Sequence, residues 1–349
     1  MCNLAGYAGN RRAAPILLEM LRKQEGFDAG YFTGIATVHE GKLHWRKVVG
    51  DVSELIKQTD AMDLPGTIGI IQGRSRCGDY GGDHNWAHPF INPKGNMAYA
   101  ANGIMSSKFK HVTDLSGQAK RLYEKGYRFP TSTDNELLHF YPSYAPGCHV
   151  HTSEIKCFLI DEQMQLGYSD AEAMERVFCN NPGEWTGLML NAENPDSITV
   201  GKVNFPMWIG HGDGEMFLAS APMVIDNDSA SQIYSLPTNS IIEVARDNIQ
   251  IHPFKKPFTK INDKLPKEKI FEAVVNALRE GPKSFYPMGA ACNGLWETDI
   301  PYTRGVVYEV LKVLQDRGCI AIDIEQWPGA GSAPHLTRGT FMVRLIKEP

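Results

Sequence analysis

The segment MCNLAGYAGNRR, residues 1–12, places a cysteine directly after methionine and follows it with an apolar run. A cysteine is small enough for Met1 to be removed, which would leave the thiol of Cys2 beside a free α-amine. The reference pKa of that amine is about 7.7–8.0, so it can accept a proton near neutral pH. A terminal thiol with its own amine as base is an established nucleophile, although an isolated cysteine is more often a small apolar residue. The run at 4–9 suits a buried strand, which predicts that the terminus is held inside the fold.

Composition and charge exclude several classes of protein. Of the 349 residues, 42% are apolar and 21% are charged, so we expect a folded globular protein rather than a disordered one. The formal net charge of −5 provides no general attraction to nucleic acid. No stretch approaches about 18 uninterrupted apolar residues, and the opening lacks a signal-peptide pattern, so we expect no membrane span and a cytoplasmic location. The seven cysteines form no C-x-x-C pair, so we expect neither a zinc site nor a disulfide framework, as is typical of a reducing cytosol. We also expect no cofactor and no other metal.

Two parts of the chain differ in charge and in pattern. Residues 1–254 are acidic overall, whereas residues 255–349 carry a net positive charge. The junction between them is rich in proline and lysine, which is typical of a solvated linker. We therefore predict a first domain at 2–252, a linker at 253–266 and a second domain at 267–349.

The first domain mixes the two hydrophobic periods. Strand-like alternation covers 32–40, 67–74 and 96–103, among other segments, and helical spacing covers 11–24 and 134–140. This mixture predicts an α+β fold with two sheets and helices outside them.

The second domain has a different outline. Helical spacing at 267–281 and at 301–318 is followed by alternating segments at 319–325 and 339–346, with a loop rich in proline and glycine between them. Helices followed by a pair of strands are typical of a winged-helix-like domain. The 301–318 helix carries few basic residues, so we expect this domain to dock on protein in preference to nucleic acid.

Six further segments occur in the order and at the spacings of one family. They are EGFDAGYFTGIA (25–36), IGIIQGRSR (68–76), NWAHPF (85–90), AANGIM (100–105), TSTDNELL (131–138) and PMWIGHGDGEMFLASAP (206–222). Together with the opening segment, they resemble the class II, or amino-terminal nucleophile (Ntn), glutamine amidotransferase domain, as in glucosamine-6-phosphate synthase and the phosphoribosyl-pyrophosphate amidotransferases. The resemblance covers about residues 2–252 and implies a four-layer αββα Ntn-hydrolase sandwich.

An oxyanion site is expected at Asn102 and Gly103. Attack of a thiolate on an amide needs hydrogen-bond donors for the tetrahedral oxyanion, and this pair can supply a side-chain and a backbone N–H. In isolation, an Asn-Gly pair is more typical of a turn that ends a strand. The resemblance favours the oxyanion role, and it implies that Arg74 binds the α-carboxylate of the substrate as a bidentate fork.

The resemblance also implies roles for residues around this centre. Asp134 would face the α-ammonium group of the substrate, although the surrounding Thr133-x-x-Glu136 pattern is also typical of a helix-capping box. Both roles are compatible, because a helix start can fix the carboxylate that a ligand needs. His88 is interpreted as structural. Residues 27–28 correspond to a loop that lies over the nucleophile in the family.

Two departures from the family pattern concern the substrate. After the carboxylate-binding arginine, the sequence reads SRCG (75–78), where the family usually has an aromatic residue and a Thr-His pair. Glu25 stands before Gly26 in place of an expected arginine. Arg76 is a candidate for the lost carboxylate contact. A γ-glutamyl amide larger than glutamine is therefore an alternative substrate.

The resemblance implies hydrolysis of a γ-glutamyl amide through a Cys2 thioester. Residues 267–349 are too few for the acceptor domains of the family's synthases, so we expect ammonia to pass to water or to a separate synthase subunit. Two alternatives remain open. One is a stand-alone hydrolase that acts on a larger γ-glutamyl intermediate, and the other is a non-catalytic, ligand-sensing regulator with a DNA-binding winged helix.

Overall fold

The computed structural model describes residues 2–27, 30–74, 83–104, 113–257, 265–296, 303–328 and 337–349. Its strands are β1 (Asn3–Ala8), β2 (Tyr31–His39), β3 (Lys42–Val48), β4 (Ile68–Arg74), β5 (Phe90–Ile91), β6 (Met97–Ile104), β7 (Ser143–Ala145), β8 (Cys148–His149), β9 (Glu184–Asn191), β10 (Asn194–Lys202), β11 (Trp208–Gly212), β12 (Glu215–Ala219), β13 (Gln232–Ser235), β14 (Ser240–Ala245), β15 (Ile249–Pro253), β16 (Ile320–Pro328) and β17 (Thr337–Leu345). Its α-helices are α1 (Ala13–Gln24), α2 (Val52–Gln58), α3 (Leu115–Glu124), α4 (Thr152–Gln165), α5 (Asp170–Asn180), α6 (Lys267–Arg279), α7 (Phe285–Ala291) and α8 (Thr303–Asp316).

Two antiparallel sheets dominate the part of the chain that the structure describes. A seven-stranded sheet has the order β13-β11-β12-β1-β4-β2-β3, and a six-stranded sheet has the order β15-β14-β10-β9-β6-β5. Apolar side chains from both sheets share one buried core, to which Leu4 and Ile70 contribute from the first sheet and Ala100 and Leu188 from the second. The two sheets therefore pack face to face.

Strand β1 fixes the start of the chain in the interior of the first sheet. It lies between β12 and β4, and all of its residues are buried. Alternate side chains of a strand point to opposite faces. Leu4 and Ala8 contribute to the core between the sheets, whereas Ala5 and Tyr7 contribute to the core on the other face. Cys2, directly before this strand, is therefore held at one end of the sheet rather than on a free tail.

Helices cover the outer faces of both sheets. Helix α1 packs on the first sheet through the apolar stripe expected from the sequence, and helices α4 and α5 pack on the second, with α3 against α4. The result is a mixed arrangement of helices and antiparallel sheets, as predicted for the first domain. None of the described helices has both the length and the hydropathy that a membrane span needs.

The carboxy-terminal part consists of α6, α7, α8 and a hairpin of β16 and β17. Its apolar side chains share one core with α1, so this part packs against the first sheet's helical layer. Lys312 of α8, which is 5% exposed, donates to Asn227 of the first part at 2.7 Å and to Asp316 at 2.7 Å. The predicted linker includes residues 258–264, which lie outside the described residues. The winged-helix assignment stays a prediction.

Candidate active site

Cys2 and Asn102 come from different sheets and meet at one end of the sandwich. Cys2 precedes β1, and Asn102 lies near the end of β6. The side-chain Nδ2 of Asn102 donates to the carbonyl oxygen of Cys2 at 2.7 Å. A primary amide carries two N–H groups, so this bond leaves a second donor for a ligand beside the thiol.

Gly103 continues strand β6 and does not form a turn. It pairs with Trp185 of β9, and Asn102 pairs with Thr186. A Cβ atom on Gly103 would lie 2.3 Å from the carbonyl oxygen of Glu184 and 2.5 Å from the indole ring of Trp185. The turn interpretation of the Asn-Gly pair is therefore wrong, and glycine is needed here because the backbones of β6 and β9 approach closely.

Arg74 is buried at the end of β4, next to the start of β1. Asn3 pairs with Gly73 in the antiparallel register, so Cys2 and Arg74 come next to each other on neighbouring strands. The guanidinium group is 5.6 Å from the ring centre of Phe32 and 5.8 Å from that of Tyr141. It also donates to the Tyr141 hydroxyl. A buried guanidinium between aromatic rings provides a planar fork, which suits a carboxylate.

His88 supports the strand that carries Asn102. Its side chain is buried, and its Nδ1 accepts the N–H of Ala101 at 3.1 Å. Burial lowers the pKa of His88 well below its usual range, with smaller contributions from the charges of Arg74 and Lys47. The ring is therefore neutral near pH 7, as the acceptor role of Nδ1 requires. His88 acts on the site through the backbone of β6.

We expect the acceptor at position 88 to affect turnover more than its ring does. His88→Ala removes the acceptor of the Ala101 N–H beside Asn102, and kcat for the amide hydrolysis that the sequence resemblance predicts should fall about tenfold. His88→Asn places an oxygen near the position of Nδ1 and should restore most of the activity. His151→Ala is the comparison variant: Nδ1 of this buried histidine accepts the Ser153 N–H at the start of α4, but its ring contacts that of His88 at 5.1 Å, so a loss smaller than that of H88A is expected. Equal kcat values for H88A and H88N would contradict this role.

The two buried histidines should also make the fold sensitive to acid. Burial lowers the pKa of His88 and of His151 well below the ordinary value of 6.5. The unfolded chain then binds more protons than the folded chain below about pH 6.5, so the free energy of unfolding falls as the pH drops. Urea unfolding at pH 7.5 and 5.5 should show a smaller loss for His88→Asn than for the wild type. An equal loss would mean that His88 is charged in the folded state.

Asp134 lies on an exposed segment. Tyr141, which follows that segment, contacts Arg74 through its hydroxyl. The helix predicted at 134–140 is wrong, because this segment contains only a single 3₁₀ turn (Glu136–Leu138). Asn135, and not Thr133, caps that turn, with its side-chain oxygen accepting the N–H of Leu137 at 3.0 Å. The Asp134 side chain is exposed, and its role toward the substrate ammonium stays a prediction.

Other expectations fall on residues that the structure leaves out or places elsewhere. Arg76 and the SRCG segment belong to 75–82, and Asp28 belongs to 28–29, which lie outside the described residues. Oε1 of Glu25 accepts the N–H of Val52 at 2.7 Å, at the start of α2. The residue that replaces the expected arginine therefore accepts a backbone N–H in the first turn of a helix whose cap is Asp51. Within the described ranges, no three His, Cys, Asp or Glu side chains converge as metal ligands would.

Sequence reasoning missed two residues that organise the site. Tyr141 contacts Arg74, and Asn3 donates through Nδ2 to the carbonyl oxygens of Gln24 and Phe27. Nothing in the pattern around Tyr141 singles it out. Asn3 could have been noticed, because a polar residue inside an apolar strand next to the nucleophile needs a partner when it is buried.

Known proteins similar to this chain are amidotransferases and aminotransferases. No family model matches. A glutamine–fructose-6-phosphate aminotransferase of Pyrococcus horikoshii is 30% identical over 224 residues, which cover 63% of this chain and 32% of that protein. One of Caldanaerobacter subterraneus subsp. tengcongensis is 29% identical over 259 residues, covering 72% of this chain and 36% of that protein. The chain thus spans about a third of the length of these curated relatives.

A solved structure shares the fold over a larger part of the chain. The glutamine phosphoribosylpyrophosphate amidotransferase of B. subtilis has a TM-score of 0.57 at 14% identity, and the match covers 92% of this chain and 66% of that one. At this identity the likeness concerns the fold. The sequence relatives and the shared fold support a class II glutamine amidotransferase domain in this chain.

Proposed function

We propose that this protein hydrolyses the side-chain amide of glutamine, or of a related γ-glutamyl amide, through a thioester on Cys2. The observation that carries the proposal is the bond from Asn102 Nδ2 to the Cys2 carbonyl at 2.7 Å. It brings an amide donor to the residue that bears the thiol, with buried Arg74 on the neighbouring strand. A thiol, an oxyanion donor and a carboxylate-binding fork are the groups that the reaction needs.

The first half of the reaction forms the thioester. With Met1 removed, the α-amine of Cys2 accepts the thiol proton while Sγ bonds to the amide carbon. The side-chain N–H of Asn102 and the backbone N–H of Gly103 hold the resulting oxyanion. The C–N bond then breaks, and the proton on the α-amine moves to the leaving nitrogen, so that ammonia departs from glutamine.

The second half of the reaction releases the carboxylic acid product, which is glutamate when the substrate is glutamine. Water attacks the thioester carbon, and the α-amine accepts a proton from that water. The C–S bond breaks, and the proton returns to sulfur, which restores Cys2. Arg74 holds the α-carboxylate during both halves, and Asp134 faces the α-ammonium group. Arg76 is proposed as a second carboxylate contact. No metal or cofactor is needed for these steps.

The ammonia is proposed to pass to water or to a separate synthase subunit in the cytoplasm. The regulator alternative requires the 301–318 helix to contact DNA. In the structure, α8 packs against the 3₁₀ turn at 222–224, and its Lys312 donates hydrogen bonds to Asn227 and Asp316. These contacts favour the protein-docking interpretation of residues 267–349 over nucleic-acid binding.

The test is turnover of a panel of amides by the purified chain. Ammonia release from glutamine supports the proposal directly. Release only from larger γ-glutamyl amides would assign the stand-alone hydrolase that acts on a biosynthetic intermediate. The intact mass of the active protein should lack Met1, because a retained methionine blocks the base. Release of neither ammonia nor an amine from any member of the panel would overturn the proposal.

A further inference from the structure

We propose that the carboxy-terminal hairpin is a positioning element of the amide-hydrolysing site. Strand β17 holds Gly26 and Phe27, and these residues in turn hold Asn3, the residue next to Cys2. This inference rests on the proposed function, and it gives the carboxy-terminal part a role inside one chain. The experiment below separates its failure from the failure of the proposed function.

The first link is backbone pairing between the hairpin and the segment after α1. The N–H of Phe341 donates to the carbonyl oxygen of Gly26 at 2.7 Å. Phe27 and Thr340 form an antiparallel β-bridge. Residues 26–27 therefore contact strand β17 of the hairpin through backbone pairing at an isolated bridge.

The second link is a buried cluster of three aromatic rings. Phe27 stacks on Phe341 with ring centres 4.5 Å apart and planes inclined by 29°. The edge of the cluster is completed by Tyr308 of α8, whose ring centre is 6.0 Å from that of Phe27. All three side chains are buried. Such pairs stabilise beyond their buried area, and their geometry fixes the direction of each ring.

Two glycines allow this close approach. A Cβ atom on Gly339 would lie 3.3 Å from the Cα of Gly26 and from the carbonyl oxygen of Glu25. A Cβ atom on Gly26 would lie 2.0 Å from Cδ1 of Ile324 in β16. The two backbones thus touch at a point where larger residues would separate them. Close contact between residues 25–26 and strand β17 therefore depends on glycine at both positions.

The third link leads from Phe27 to the nucleophile. The carbonyl oxygens of Phe27 and Gln24 both accept from Nδ2 of Asn3. The side chain of Gln24 is buried, donates to the Leu4 carbonyl and accepts the Ala221 N–H, each at 3.1 Å. The start of β1 is therefore tied to residues 24–27 on one side. A shift of Phe27 moves the acceptor of Asn3 and, with it, the backbone that carries Cys2.

A second anchor keeps the carboxy-terminal part in place when the Phe341 contact is lost. Lys312, Asn227 and Asp316 form a hydrogen-bonded cluster between α8 and the first part of the chain, away from residues 26–27. A change at Phe341 should therefore loosen the local link rather than separate the two parts. This predicts an effect on the site larger than the effect on folding.

The test compares Phe341→Ala with Val343→Ala, a control at a fully buried residue of the same strand that pairs with Lys283 instead. The probe is a diazoketone analogue of glutamine that alkylates Cys2. At saturating probe, the first-order labelling rate is divided by the folded fraction of each variant, measured by urea unfolding under the same conditions, so that the comparison concerns folded molecules alone. We expect F341A to label about tenfold more slowly than wild type and V343A within about twofold. Equal rates for the two variants would overturn the inference.

Two further arms keep the outcome decisive. Should F341A not fold, Phe341→Leu retains apolar volume without the ring, and a rate at least about threefold below that of V343A is expected. Should wild-type protein neither release ammonia nor react with the diazoketone, the proposed function fails. The positioning role is then tested by iodoacetamide labelling of the Cys2 peptide, which needs no glutamine site. Different rates for F341A and V343A support the role, and equal rates overturn it.

Discussion

Cys2→Ala is expected to abolish ammonia release, with a loss in kcat of at least about 10⁴-fold. The sulfur forms the covalent bond to the amide carbon, and the methyl group of alanine provides no nucleophile. Binding should survive, because Arg74 and Asp134 are unchanged. Steady-state ammonia release measures the loss, and calorimetry with glutamine shows whether the variant still binds.

The matched control for this experiment is Cys148→Ala. Cys148 is partly exposed, as Cys2 is, and lies in the short strand β8. It should retain wild-type kcat and KM. Activity that persists in C2A but disappears in C148A would move the nucleophile away from the start of the chain. The kcat of Cys2→Ser should stay far below that of wild type, because a hydroxyl group is a much weaker nucleophile near neutral pH.

The sequence alone predicted the regular parts of the fold from their periodicity. Helix α1 has a continuous apolar stripe, and the strands of the two sheets alternate or are wholly apolar, so local pattern and tertiary burial agree. Helix α4 was missed because its residues from Ser153 to Asp161 are all buried, which removes the two-faced pattern. Its start is capped by His151, a residue outside the usual capping set.

The candidate site was predictable where a motif dictates chemistry and not where contacts depend on packing. Cys2, Arg74 and Asn102 stand in motifs, and the antiparallel register and the face-to-face sheets bring them together. Tyr141 reaches Arg74 from an irregular segment, which carries no period to read. The contact between Phe27 and Phe341 joins residues more than three hundred positions apart. No local pattern encodes it.

Glu25 shows how a departure from a family motif acquires meaning only in three dimensions. By sequence, its place before Gly26 suggested a changed substrate. In the structure its carboxylate accepts the N–H of Val52 at the start of α2, where a negative charge is favourable. Glu25 therefore has a structural contact at this helix, and the larger substrate suggested by Glu25 and the SRCG segment stays a prediction.

Arg74 provides the second large effect, which should depend on the substrate. Arg74→Met retains side-chain volume between Phe32 and Tyr141 but removes the charge and the fork. We expect kcat/KM for glutamine to fall about 10²-fold or more, mostly through KM, because the α-carboxylate loses its buried partner. Arg74→Lys keeps a charge without the planar fork, and its kcat/KM for glutamine should fall about tenfold. Exposed Arg46, which pairs with Asp60, is the control as Arg46→Met.

A truncated substrate separates carboxylate binding from general damage at position 74. 4-Aminobutanamide is glutamine without its α-carboxylate, so wild type should turn it over poorly, having lost the contact to Arg74. For this analogue, kcat/KM of R74M should be close to that of wild type, because the group that Arg74 binds is already absent. A decrease in kcat/KM on R74M substitution that is large for glutamine and small for the analogue therefore assigns Arg74 to the carboxylate. Equal losses would mean that Arg74 supports the site only through its contacts with Phe32 and Tyr141, and the carboxylate would then need another partner.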